Sequence, residues 1–166
     1  MNARRLTPVL LILAVLSMAP LIPGGPVETR SFGHIPVAVL IAFNAFITLV
    51  VLGSIPLAAL ARRGGRRILV WVMADGLGYV AIFALDLLHI FPVSPTPMSP
   101  ALIGFELAGL AFGLAIIGSA VRDLRRPQPD PAPAHALSAG ARRLILGGAL
   151  ALAGVAIIAG TIGALN

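Results

Sequence analysis

Five apolar runs, residues 6–22, 35–61, 68–91, 101–121 and 144–165, take up most of this 166-residue chain. A helix needs about 20 apolar residues to cross a bilayer, and a spanning segment must satisfy its own backbone hydrogen bonds. The pattern therefore predicts an all-helical, polytopic integral membrane bundle of five transmembrane helices, forming one domain over residues 1–166. The composition agrees, with 58% hydrophobic and 11% charged residues, against about a quarter charged in soluble proteins.

The first run follows Arg4 and Arg5, which is the charge pattern of a signal peptide or a signal anchor. Pro20 stands directly after the small-residue motif Ser17-Met18-Ala19, which argues for an uncleaved and rather short first span. Pro23, Gly24, Gly25 and Pro26 break it, and a short polar connector leads to the second run. Arg62-Arg63-Gly64-Gly65-Arg66-Arg67 forms a tight turn into the third run, which makes spans two and three antiparallel neighbours. A proline-rich loop over residues 92–100 is expected to cap the mouth of the bundle, and residues 122–143 read as a flexible inner linker.

All twelve basic residues are arginine. With the N-terminus inside, eleven of them fall on the inner face and Arg30 alone on the outer one, so the C-terminus is expected outside. That distribution accounts for the net charge of +6 without nucleic acid, and places the chain as a multi-pass protein of a cell membrane, a bacterial inner membrane by expectation. The absence of cysteine excludes disulfides and thiolate chemistry, and the absence of lysine excludes a Schiff base.

Arg66 to Phe91 carries the chemistry. An Asp at the centre of a spanning helix costs about 2.5 to 3.5 kcal/mol on insertion scales, yet this run holds Asp75 and Asp86, together with Tyr79 and His89. At about 100° per residue these four share one narrow stripe with Ile82. Asp86 and, on span four, Glu106 each fall roughly 9 Å inside the outer ends of their helices. Two carboxyls at one depth can share a proton, because desolvation and mutual repulsion disfavour two bare charges. Asn44 and Thr48 lie four apart on span two and point toward the same interior. Asp86 and Glu106 are thus the candidate acid, base or proton site, with Asn44, Asp75, Tyr79 and His89 as candidate ligand-binding residues and Tyr79 as a relay between the two aspartates. Interhelical hydrogen bonding of these groups is the structural alternative.

His34 and His89 sit at the outer boundary of neighbouring spans, where two imidazoles are the chain's candidates for a haem iron; solvation at the interface is the competing fate. No metal motif is present, and no cofactor is otherwise expected. Gly109 and Gly113 on span four, and Ala156, Gly160 and Ala164 on span five, form small-residue stripes suited to close helix packing.

The expectation is therefore a small membrane protein whose outer-half acidic pocket, between spans two, three and four, binds or moves a proton, a cation or a lipophilic small molecule. An intramembrane acid-base enzyme of the isomerase or cyclase type, acting on a lipophilic substrate, is the second reading. A non-catalytic accessory subunit, docking its glycine stripes on a larger membrane partner, is the third. Membrane lipids and further copies of the chain are the remaining expected partners; nucleic acid is not.

Overall fold

The computed structural model describes residues 6–22, 25–126 and 139–165, the last segment with side chains from residue 147 onward. It is helical, with no strand among the described residues: α1 is Leu6–Met18, continued by a single 3-10 turn over Ala19–Leu21, α2 Val37–Ala61, α3 Arg66–Leu87, α4 Pro100–Leu124 and α5 Ala139–Leu165. The last four are long and apolar enough to cross a membrane, whereas the apolar helix from Leu6 to Leu21 is shorter, so four to five helices could span. Pro20 lies within the 3-10 turn and its missing N–H explains why α1 stops at Met18.

The boundaries have local causes. Gly64 at φ 75° and Gly65 at φ 108° take the backbone through conformations that side-chain-bearing residues avoid, which lets four residues turn the chain from α2 into α3. Ser99 caps α4 by accepting from the Leu102 amide at 3.1 Å, and Pro100 occupies the first turn, where its lost donor costs nothing. α3 ends four residues earlier than its apolar run. His89 adopts φ 55°, its amide donates to the Asp86 carbonyl and that of Ile90 to the Leu85 carbonyl, the paired bonds of a Schellman cap. α4 continues to Leu124, three residues into the expected linker, and α5 begins five residues before its apolar run. Residues 127–138 of that linker lie outside the described residues.

α3 and α4 form the most extensive pairing, with α1 packed on α2 and α4, and α2 on α3 and α5. Glycine makes the α3–α4 approach: a Cβ on Gly109 would collide with the Phe83 ring, and one on Gly113 would lie 3.1 Å from the Gly76 carbonyl. Gly78 likewise admits Val50 of α2. The core beneath holds Leu11, Ala14, Val72, Tyr79, Phe83, Ile116 and Ala120. Trp71 is exposed one turn from Arg67, as a residue of an interfacial belt would be.

Candidate functional site

The α1–α2 connector does more than join two helices. It carries Glu28 and Arg30 inward, so that both are buried, at 5% and 4% exposure. Arg30 bonds Glu28 through Nε to Oε1 at 2.9 Å and Nη2 to Oε2 at 2.6 Å, and Asp86 of α3 through Nη1 to Oδ1 at 2.9 Å and Nη2 to Oδ2 at 2.6 Å. The guanidinium also lies 5.2 Å over the Phe32 ring. Phe32 in turn donates its amide to the Ala164 carbonyl at 2.8 Å, which ties the connector to the end of α5. Burial alone would lower the Arg30 pKa; the hydrogen bonds and charges of Glu28 and Asp86 outweigh it and raise it, so the cation persists at any working pH.

Glu106 of α4 completes the cluster. Its Oε1 stands 3.9 Å from Arg30 Nη2, outside hydrogen-bond range, and its buried Oε2 has no hydrogen-bond partner. Three buried carboxyls therefore surround one guanidinium, and the fork of that guanidinium is taken by two of them.

Beside the cluster lies a cavity of about 120 Å³. Glu28, Arg30, Asp86 and Glu106 form its polar end, and Leu40, Phe43, Ile47, Ile82 and Phe83 make up much of the apolar remainder. Asn44 and Thr48 face it from α2, and Asn44 Nδ2 donates to Thr161 Oγ1 of α5 at 3.2 Å. Ala156, Gly160 and Ala164, the small stripe of α5, line its far side. The loop after α3 reaches the same mouth: Pro92 touches the cavity and Ser94 donates to the Ser31 carbonyl at 3.2 Å.

Not every residue singled out from the sequence converges there. Asp75 and Tyr79 belong to a separate cluster between α2 and α3, where Ser54 Oγ lies 2.7 Å from Asp75 Oδ2 and 3.1 Å from the Tyr79 hydroxyl. One proton per hydroxyl allows Tyr79 to donate to Ser54 and Ser54 to Asp75. The Tyr79 ring stacks on Phe83, and its hydroxyl points to the Asp75 side, so the structure forms no Tyr79 bridge to Asp86. His89 leaves the polar stripe because the helix has already ended at Leu87, and a helical wheel no longer describes its position. His34 and His89 are both exposed and neither lines the cavity. Among the described residues no group of three or more His, Cys, Asp or Glu is arranged to hold a metal ion.

A family model described as a domain of unknown function, DUF8051, matches residues 3–136. The chain belongs to that family. The DUF8051 segment supplies all four charged residues of the cluster and ends before α5, which contributes only small, neutral side chains to the cavity. No curated protein and no solved structure matches the chain.

Glu28 and Arg30 are the site residues that sequence reasoning missed. Arg30 reads as a topology marker, yet it is the one arginine that the sequence leads one to expect away from the inner face, and a Glu two residues before it in an extended connector falls on the same side. Those two features are the available signal.

Proposed function

We propose that this chain is a multi-pass protein of a cell membrane, with five spans, the N-terminus inside and the C-terminus outside. In this reading its outer-half acidic cavity binds or moves a proton, a cation or a lipophilic small molecule. The observation that carries it is Glu106: a buried carboxyl at a cavity wall, with one oxygen unpartnered and the nearby guanidinium already committed to Glu28 and Asp86. Such a group calls for a proton or a cation, because an uncompensated charge in a low-dielectric interior is expensive. The apolar walls favour a ligand with a lipophilic part.

Two observations weigh against the other readings. Asp86 has both of its oxygens bonded by the Arg30 fork, which leaves it poorly placed to partner a substrate in acid-base turnover. Gly109 and Gly113 are filled by α3 of the same chain, which removes the α4 stripe as a docking surface for a larger subunit.

The test is a binding screen on purified protein in detergent, reading thermal stability against pH, monovalent cations, small amines and neutral lipophiles. At least one class is expected to raise the unfolding temperature of the wild type and to lose its effect in Glu106→Gln. Indifference to every class, together with a flat response to pH, rejects the reading.

A further inference from the structure

Resting on that reading, we infer that the cavity takes a small lipophilic ammonium ion and releases a proton from Glu106 as it does so. The argument begins with charge. Glu28 and Asp86 are each bonded directly to Arg30, so their ionised forms are compensated by hydrogen bonds at 2.6 to 2.9 Å. Glu106 receives no such bond from Arg30; it lies against the carboxylate of Asp86, which repels a second bare charge, and its Oε2 has no donor. A bare charge there would go uncompensated, so Glu106 carries its proton until a cation takes that place. An ammonium group arriving at Glu106 replaces the proton with a cation, and the charge of the buried site is unchanged by the exchange. No new bond to carbon forms: the O–H of Glu106 gives its proton to water, and the carboxylate accepts hydrogen bonds from the ammonium.

The surroundings select the kind of cation. Glu106 and Asn44 both line the cavity, and with Asn44 Nδ2 committed to Thr161, the Asn44 carbonyl oxygen is left to accept from a second N–H. Rotation about the last torsion of Glu106 presents either of its oxygens. Beyond these groups and the Thr48 hydroxyl, the walls include Leu40, Phe43, Ile47 and Phe83, which suit an aryl or alkyl body and offer little to the water shell of an inorganic ion. The titratable and charged groups facing Glu106 are Glu28 and Arg30 from the connector and Asp86 from α3; the described side chains of α1, α2 and α5 bring none to the cavity. Arg30 stays charged, so Glu106 is left as the group that yields the proton.

Phenethylamine is a suitable probe, because an alkylammonium keeps its own proton well above neutral pH, and 2-phenylethanol is its neutral counterpart. Isothermal titration calorimetry in buffers of different ionisation enthalpy is expected to show release of close to one proton per amine bound. Affinity should rise about tenfold per pH unit over the range where Glu106 begins protonated, as linkage requires of a one-proton exchange. The alcohol should bind at least tenfold more weakly. Glu106→Gln should abolish proton release, and Glu106→Asp should restore it at reduced affinity, which separates loss of the acid from loss of the fold. Binding without proton release, equal binding of alcohol and amine, proton release surviving in Glu106→Gln, or no binding of the amine each overturns the exchange. If the alcohol binds and the amine does not, the cavity still takes a lipophilic ligand and only the exchange falls. If neither binds, the exchange falls while the proton and inorganic-cation arms of the screen still decide the broader reading.

Discussion

Arg30 grips Asp86 across 56 residues of sequence, its two terminal nitrogens meeting the two carboxylate oxygens at 2.9 and 2.6 Å inside the bundle. The connector between α1 and α2 is fastened to α3 by this fork. The geometry is the bidentate one that only arginine provides.

Removing the fork should be costly. Arg30→Met leaves Glu28 and Asp86 buried without their cation, and breaking a buried pair from one side costs about 3–5 kcal/mol. Arg30→Met combined with Asp86→Asn is expected to recover part of that loss. Because the folded pKa of Arg30 is raised, its contribution is fully present below the ordinary arginine value and is lost only in strongly alkaline solution. Thermal unfolding of the three proteins checks the order; an unchanged Arg30→Met would show the fork to be idle.

The Gly109 and Phe83 contact gives a sharper steric test. A methyl group at Gly109 cannot coexist with the ring where it stands, so Gly109→Ala should destabilise by about 1–3 kcal/mol through overpacking. Pairing it with Phe83→Leu should relieve most of the clash. Gly104 and Gly118 face open space within α4, and alanine at either should leave stability unchanged or raise it by up to about 1 kcal/mol, because alanine is the better helix former. Equal effects at all these positions would refute the packing.

Ser54 is the hinge of the inner polar cluster. Ser54→Ala leaves Asp75 buried with its close partner gone, and should cost about 1–3 kcal/mol. Because this cluster and the Arg30 cluster share no hydrogen bond, amine binding at Glu106 should be unaffected by Ser54→Ala. A parallel loss of binding would mean that the two clusters communicate.

His89 caps α3 in a conformation suited to glycine. His89→Gly should leave stability unchanged or raise it by up to about 1 kcal/mol, the left-handed strain relieved being partly offset by backbone entropy. His34→Ala, at an exposed site, should be silent in the same measurement. Purified protein is expected to show no Soret absorbance with or without these changes; a Soret band lost in either variant would restore the haem reading.

Topology can be tested cleanly because the chain has no native cysteine. A single cysteine at Thr96 should react with an impermeant thiol reagent from outside, and one at Arg63 only after permeabilisation. The reverse pattern would invert the bundle.

Much of the architecture is legible in the sequence because long apolar runs leave few options. Apolar runs long enough to cross must be helices, and connectors with two glycines among four arginines must turn tightly. Acids within apolar runs are likewise visible one residue at a time, which is why Asp86 and Glu106 stand out by residue type and position alone. What the chain order conceals is who meets whom. Arg30 reads as a surface charge until the connector folds inward; His89 reads as part of a helical stripe until the Schellman cap ends the helix two residues short of it. Asp75 and Asp86 share a wheel position, yet eleven residues of helix separate them by roughly 16 Å, enough for Ser54 to claim one and Arg30 the other. Periodicity and hydropathy are local properties, and the sequence by itself determined them. Charge compensation and cavity shape depend on contacts between distant segments, and only the tertiary structure decided those.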